Sequence, residues 1–262
     1  MTSPIFGALS DAAYWDDVYR NGRRPYSYPD IAGNRFHLTL AGILKRHVRP
    51  GSAVLELGCG GSLWLPYLAQ AHGCRVSGID FSTQGIRKAQ EHLGRNGVTG
   101  GLYQADFLNP PADLLGRFDF VYSLGVVEHF EDPEALLRAF AEFLKPDGKL
   151  LTWIPHTAGF IMCLQRWADR EIYDRHRSLW LHDLIHAHVG SGLTVVEAEY
   201  ARCLDLSMVN VYRWPLSSYR RWMMLAKTVN LPFRWLEQTW GLFLRSKWFG
   251  ASSYVVAEQI HR

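Results

Sequence analysis

Short apolar runs alternate along the chain with longer segments in which apolar residues recur every three or four positions. The short runs predict β-strands, whereas the longer segments predict amphipathic helices. This alternation is typical of a parallel sheet joined by right-handed helical crossovers. The predicted strands are Ala53–Leu57, Arg75–Asp80, Leu102–Asp106, Phe118–Ser123, Lys149–Ile154, Thr194–Tyr200 and Ser253–Glu258, and the predicted helices span 35–48, 62–72, 83–94, 133–144 and 181–190.

The ends of five predicted strands are expected to meet at one edge of the sheet. Glu56, Asp80, Asp106, Ser123 and Pro155 stand at or next to these ends. Sheets of this kind bind their ligands in the crevice outside the carboxyl ends of the strands. The pattern therefore predicts a single site at this edge.

A glycine-rich turn follows the first predicted strand, in the segment VLELGCGGS at 54–62. Gly58, Gly60 and Gly61 permit backbone conformations and a close ligand approach that a Cβ would block. The second predicted strand ends in Asp80, from which an acidic side chain can accept hydrogen bonds from both hydroxyls of a ribose. Leu63 stands where a dinucleotide fingerprint has its last glycine, so the spacing disfavours a pyrophosphate-containing ligand.

Further motifs follow in order along the chain. E-x-G-x-G-G at 56–61, D-F-S at 80–82, QADF at 104–107 and FDFVYSLGVVEHFEDPEALLRAFAEFLKPDGKLLTWIP at 118–155 resemble class I S-adenosylmethionine-dependent methyltransferases of the small-molecule type. The resemblance covers roughly residues 35–200 and returns at 253–258. It implies a three-layer, Rossmann-like α/β fold with a seven-stranded, mostly parallel sheet and an antiparallel last strand.

The resemblance also implies the cofactor, S-adenosyl-L-methionine, and the residues that contact it. In that family the glycine turn meets the methionine part of the cofactor, the acid after the second strand holds the ribose, and a later Asp meets the adenine amine. On this sequence the implied cofactor contacts are Glu56, Gly58, Cys59, Gly60, Asp80, Phe81, Asp106, Phe107, Ser123, Leu124 and, from the N-terminal segment, Tyr14.

Two segments lie outside the core that the resemblance covers. Residues 1–34 are rich in aromatic side chains and look like the helical cap that closes over the cofactor in small-molecule methyltransferases. Residues 201–250 form an insertion, predicted to be helical, between the sixth and seventh strands, where the family usually has a short turn. The methyltransferase domain is therefore predicted over 35–200 and 251–262, and the insertion is predicted to be a substrate lid.

The insertion concentrates tryptophan and positive charge. It holds five of the ten tryptophans and eight Lys or Arg residues against two acids, although the net charge of the whole chain is only +3. Three interpretations are open: helices packed on the core or in a homodimer, an aromatic pocket for an apolar substrate, or a peripheral membrane surface over 213–248. Tyr19 of the cap and Trp214 of the insertion are predicted substrate contacts. Nucleic acid is disfavoured as a partner because a recognisable RNA-binding module is missing.

A base near the transferred methyl group is the main catalytic requirement, because a sulfonium donor carries its own positive charge and leaving group. His129 in VVEHF follows the fourth predicted strand and is the first candidate. His156, just after the fifth strand, is the second. The alternatives are that His129 orients its loop and that His156 fills a loop.

The sequence predicts that the protein binds no metal ion. Some methyltransferases of this fold bind a divalent cation through E-x-x-E-H on the same loop, but here the first glutamate position is Gly125. Glu128 and His129 remain, and a cation needs further ligands that the sequence does not reveal. A second group of histidines is predicted to be helix surface and comprises His176, His182, His186 and His188.

The remaining features of composition predict a cytoplasmic protein. Four cysteines lack C-x-x-C spacing, the start does not resemble a leader, and no apolar stretch approaches the roughly 18 residues of a spanning helix. We therefore predict methyl transfer to O, N or C of a small, largely apolar or aromatic acceptor. The alternatives are a methyltransferase of RNA or protein, one of a membrane-borne lipid or quinone precursor, and a nucleotide-binding scaffold or nicotinamide enzyme.

Overall fold

A seven-stranded sheet forms the centre of the computed structural model, which describes residues 7–21, 27–32, 34–201, 204–240 and 247–259. The strands are β1 Ala53–Leu57, β2 Arg75–Asp80, β3 Gly101–Gln104, β4 Phe118–Leu124, β5 Leu144–Pro155, β6 Thr194–Ala201 and β7 Ser252–Glu258. Their order across the sheet is β3-β2-β1-β4-β5-β7-β6. All seven predicted strands are confirmed, and their ends agree within two residues except at the start of β5.

The last strand runs antiparallel to both of its neighbours. β1 to β5 pair in parallel, whereas β7 lies between β5 and β6, with Val255 opposite Thr152 on one side and Ala198 on the other. The chain leaves β6 at the carboxyl edge of the sheet and re-enters from that edge after the insertion. The predicted Rossmann-like α/β fold with an antiparallel last strand is therefore confirmed.

Helices cover both faces of the sheet and bury two separate apolar clusters. Phe140 and Leu184 belong to the cluster on one face, and Leu44 and Leu65 to the cluster on the other. The five predicted helices are confirmed, with ends that move by up to three residues. The helices are α1 Ala12–Asn21, α2 Arg35–His47, α3 Trp64–His72, α4 Thr83–Arg95, α5 Pro133–Ala141, α6 Phe160–Ala168, α7 Arg170–Asp174, α8 Leu181–Gly190 and α9 Leu216–Trp240.

The connection from β5 to α8 contains two helices, α6 and α7, that the sequence pattern did not predict. The start of β5 also differs, since it begins at Leu144 instead of Lys149. Its register against β4 shifts between Phe118 and Phe120, and Asp147 takes a φ of 60° inside the extra stretch. This irregular pairing hides the first part of the strand from a simple alternation of apolar and polar residues.

The insertion is helical, as predicted, and packs against α6. Ile161 of α6 joins Val209 and Val211 in a small buried cluster, and Trp222 and Phe233 of α9 pack against it. No helix among the described residues is long and apolar enough to cross a membrane. Three cysteines are free thiols, and the fourth, Cys203, lies outside the described residues.

The N-terminal cap docks on two parts of the carboxyl edge. Asp16 of α1 accepts hydrogen bonds from the Ser82 hydroxyl and from the backbone N–H of Gln84, at the start of α4. The strand-like segment before α1 pairs with the loop after β4, where the Leu9 N–H donates to the His129 carbonyl at 2.8 Å. The cap thus contacts both ends of the predicted site.

Candidate active site

The glycine turn after β1 has the open backbone that the sequence predicts. Gly58 has a φ of +73°, and a Cβ there would lie 2.6 Å from Cγ2 of Val126. Its N–H and that of Cys59 both donate to the Ile79 carbonyl at the end of β2. A Cβ on Gly60 would overlap the ring of Tyr19. Glycine at these positions lets the turn approach β2, the loop after β4 and the cap.

Asp80 connects the glycine turn to the start of α4. One carboxylate oxygen accepts from the Gly60 N–H and the other from the Ser82 N–H, each at 2.7 Å. Burial raises the pKa of Asp80 to about 6, against the lowering effect of these two hydrogen bonds. Each oxygen retains a second lone pair, so the carboxylate can still accept from two ribose hydroxyls.

Glu56 supports the turn from below. Its carboxylate accepts hydrogen bonds from the hydroxyls of Ser62 and Tyr122, the latter at 2.8 Å. Ser62 in turn accepts from the backbone N–H groups of Trp64 and Leu65, which begin α3. Glu56 is 4% exposed, and burial raises its pKa to about 7. The predicted cofactor contact is therefore a group that organises the turn and the helix behind it.

We expect Glu56→Gln to remove a pH dependence of stability. The folded-state pKa is about 7, whereas an unfolded glutamate titrates near 4.3, so the folded protein holds a proton that the unfolded chain releases. Wild-type stability should then fall as pH rises between these two values, by about 2 kcal/mol more than in the variant from pH 5 to pH 8. Urea unfolding of the ligand-free protein at both pH values measures this.

Glu142→Gln provides the control for that measurement, because Glu142 is an exposed glutamate in the turn after α5. This variant should keep the wild-type pH dependence. Equal slopes in wild type and Glu56→Gln would contradict the assignment of a protonated, buried Glu56.

The residues that the resemblance assigns to the adenine end of the cofactor offer mostly backbone groups. Asp106 is exposed, and its carboxylate accepts from the Leu108 N–H at 2.9 Å. The Phe107 ring is buried against Phe130 and Phe140, and the Cys59 side chain is fully buried. Phe107 and Cys59 can therefore offer a cofactor only their backbone groups, and their cofactor contacts remain predictions.

The end of β4 presents buried polar groups to the centre of the site. Ser123 is fully buried, and its hydroxyl has no hydrogen-bond partner among the described residues. Leu124 follows it, half-buried, and Gly125 turns the chain with a φ of +74°. An unpartnered buried hydroxyl marks a place where a ligand or water can complete the hydrogen bonding.

Glu128 is a buried carboxyl group in the loop after β4. It is 1% exposed, and its Oε2 has no hydrogen-bond partner among the described residues. Burial raises its pKa to about 8. A carboxylate in this position calls for a cation or a proton donor from a ligand.

His129 and His176 lie next to each other, with ring centroids 4.5 Å apart. The Nδ1 of His129 lies 2.7 Å from the Arg175 carbonyl, and the Nδ1 of His176 lies 2.6 Å from the Ile172 carbonyl. A carbonyl only accepts, so both Nδ1 atoms carry the proton and both Nε2 atoms keep a lone pair. Burial lowers the pKa of His129 to about 3, which makes it a weak base and a neutral imidazole.

Glu128, His129 and His176 together fit a divalent cation. One ligand atom from each lies within 4.8 Å of the others. Anchoring of Nδ1 on a carbonyl is the usual way in which proteins orient a metal-binding imidazole. The sequence pattern assigned His176 to a helix surface with other histidines, and its position 47 residues after His129 gave no sign that the two meet. The prediction of a metal-free protein remains a prediction.

The two cap tyrosines have different neighbours. The Tyr19 ring lies against Gly60, Gly61 and Gly85, on the cofactor side, although it was predicted to contact substrate. Tyr14, predicted to contact cofactor, lies instead under the Arg175 guanidinium, 4.2 Å from the ring centroid. One helix places them on different sides because five residues at about 100° each leave an offset of about 140° around the axis.

Two other predicted residues hold the structure together at the rim of the site. Trp214 donates from Nε1 to the Ala168 carbonyl at 3.3 Å and packs on Trp222, and its substrate contact remains a prediction. The Nε2 of His156 lies 2.8 Å from the Lys247 carbonyl. His156 is 1% exposed, with its pKa lowered by burial, and it joins the end of β5 to the segment before β7.

Comparison with known proteins is consistent with this geometry. Residues 32–198 match the family described as the methyltransferase domain. The ubiquinone biosynthesis O-methyltransferase of Haemophilus ducreyi is 36% identical over 104 residues, which is 38% of this chain and 44% of that protein. The one from Cereibacter sphaeroides is 33% identical over 150 residues, which is 52% of this chain and 58% of that protein. The chain thus spans about half the length of these relatives.

Solved structures share the fold at low sequence identity. Phosphoethanolamine N-methyltransferase 2 of Haemonchus contortus, in complex with S-adenosyl-L-methionine, has a TM-score of 0.63 at 17% identity and covers 97% of this chain and 59% of its own. The YcgJ protein of Bacillus subtilis has a TM-score of 0.58 at 17% identity, and the match covers 86% of this chain and 100% of that protein. From the matched family we conclude that this chain belongs to the methyltransferase domain family, and its glycine turn and strand order agree with that assignment.

Proposed function

We propose that the protein methylates a phenolic hydroxyl oxygen of a small aromatic acceptor. The observation that carries the proposal is the buried group of Glu128, His129 and His176 at the end of β4, on the wall of the site. Such a group can receive a hydroxyl and help it to lose its proton. The names of the relatives, which are O-methyltransferases of ubiquinone biosynthesis, support oxygen as the acceptor atom.

The cofactor would lie across the ends of β1 and β2. Asp80 would hold the ribose, while the backbone of Gly58 and Gly60 would border the methionine part. The Tyr19 ring already lies over this turn, so it must move or tilt when the cofactor enters. Asp16 ties α1 to the start of α4 beside the cleft. A small shift of α1 would therefore open and close the cofactor cleft.

The acceptor would lie between the loop after β4 and the cap. The Trp15 ring meets the His129 ring edge-on, with centroids 5.2 Å apart, and gives this space an aromatic wall. The unpartnered Oε2 of Glu128, whose pKa is raised to about 8, can take the hydroxyl proton when this carboxyl group is ionised, whereas the Nε2 lone pair of His129 can accept a hydrogen bond from the hydroxyl. A divalent cation bound by Glu128, His129 and His176 would act as a Lewis acid that lowers the pKa of the acceptor hydroxyl.

Incubation of the purified protein with S-adenosylmethionine and matched acceptors tests the proposal. A catechol-type phenol should yield S-adenosylhomocysteine and a methyl ether in equal amounts, detected by mass spectrometry. Its doubly O-methylated analogue and the corresponding aromatic amine should yield neither. Methylation of the amine in preference to the phenol would contradict the choice of oxygen, and methylation of neither would contradict the acceptor class.

A further inference from the structure

The outward face of α9 carries large apolar side chains that the fold does not bury. Met224 is 68% exposed, Leu231 53% and Trp235 60%, and Leu225 and Leu236 beside them are 51% and 36% exposed. At 3.6 residues per turn, Met224, Leu231 and Trp235 fall in one stripe along the helix. These five residues are called the α9 outer face below.

The opposite face of α9 packs against the rest of the protein. Trp222 and Phe233 pack into the cluster around Ile161, Ala226 is fully buried, and the Asn230 side chain donates to Asp205 at 2.6 Å. The outer face is therefore additional apolar surface on a helix that is already anchored. A helix that is apolar on both sides is typical of burial against a second apolar phase.

Positive charge borders the stripe of Met224, Leu231 and Trp235 on both sides. On the helical wheel, Arg220 and Lys227 fall on one side of the stripe and Arg221 falls on the other, and all three are exposed. The α9 sequence contains only one acidic residue, Glu237. Lys and Arg side chains can extend from an apolar surface towards lipid phosphates while their aliphatic stems stay in apolar contact.

A second exposed apolar patch belongs to the same packed unit. Phe160 and Trp167 of α6 are 42% and 77% exposed, and Trp248 and Phe249 of the insertion are 58% and 47% exposed. The rings of Phe160 and Phe249 lie 6.4 Å apart. α6 begins shortly after β5 ends, so this apolar surface starts close in the chain to the carboxyl edge of the sheet.

We propose that the α9 outer face binds the interface of an anionic lipid membrane. Its apolar side chains would enter the boundary of the acyl chains, and Arg220, Arg221 and Lys227 would meet the phosphates. A second copy of the chain fits this face less well, because a symmetric pair would bring rows of like charge together. This inference rests on the proposed function, since the membrane would supply an apolar aromatic acceptor to the site.

Vesicle flotation of the full chain tests the proposal. Wild type should bind vesicles of phosphatidylglycerol and phosphatidylcholine, and bind pure phosphatidylcholine vesicles more weakly. The triple variant Met224→Gln, Leu231→Gln and Trp235→Gln should lose about tenfold or more in partitioning to the anionic vesicles. Arg220→Gln with Arg221→Gln should weaken binding to anionic vesicles only, and should reduce its dependence on salt.

The control replaces exposed apolar residues elsewhere, Leu38→Gln in α2 and Val189→Gln in α8, and should bind as wild type. Calorimetric affinity for S-adenosylmethionine, unchanged in all variants, shows that each has folded. Methylation of a water-soluble phenol should also be unchanged in the triple variant, so loss of lipid binding is separable from failure of the proposed function. Equal lipid binding by wild type and the triple variant would overturn the proposal. A dimer that forms in wild type and is lost only in the triple variant would also overturn it.

Discussion

Glutamine in place of Glu128, His129 or His176 is expected to lower kcat by about 100-fold or more. Each change removes one group of the buried cluster at the proposed acceptor position, whereas the proposed ribose and methionine contacts lie at β1 and β2. The dissociation constant for S-adenosylmethionine should therefore stay within about twofold of wild type. Steady-state kinetics with a phenolic acceptor, paired with calorimetry of cofactor binding, separates these two effects.

His182→Gln is the matched control for those three variants, because His182 is an exposed histidine in the first turn of α8. It should keep wild-type kcat. If a cation takes part, a chelator should inactivate wild type, and added Mg²⁺, Mn²⁺ or Zn²⁺ should restore activity to wild type but not to His176→Gln. Normal turnover in His176→Gln would show that the cluster has no catalytic role, even if the chain is an active methyltransferase.

Asp80→Ala is expected to raise the dissociation constant for S-adenosylmethionine by about 100-fold, because it would remove the two charge-assisted hydrogen bonds that the proposed orientation gives the ribose. It also frees the N–H groups of Gly60 and Ser82, which the carboxylate now holds at 2.7 Å. Asp80→Asn keeps one accepting oxygen and should weaken binding by about tenfold. Isothermal titration with the cofactor and with S-adenosylhomocysteine gives both values.

Asp113→Ala serves as the control for this series, since Asp113 is an exposed acid in the loop after β3. Its affinity should equal that of wild type. NAD should not compete in any variant, because Leu63 replaces the last glycine of a dinucleotide fingerprint. Tight cofactor binding by Asp80→Ala would place the ribose elsewhere and would overturn the orientation of the cofactor in the site.

The sequence by itself determined the fold and the pairing of the glycine turn with Asp80, which form the proposed cofactor end. Apolar periodicity is a local property, and the seven strands and five predicted helices follow from it. The glycine turn and Asp80 were also identified correctly as neighbours, because the carboxyl ends of adjacent parallel strands must meet. α6 and α7 were not predicted, and they are short helices of 9 and 5 residues.

Only the tertiary structure brought together the residues of the proposed acceptor end. His176 joins Glu128 and His129 through the packing of α7, which no pattern along the chain reveals. Burial, and not residue type, makes His129 a neutral imidazole and Glu128 a buried carboxyl with a raised pKa. The direction in which α1 and α9 present their aromatic residues likewise depends on what each helix packs against. These properties arise from contacts between distant segments, and such contacts exist only once the chain has folded.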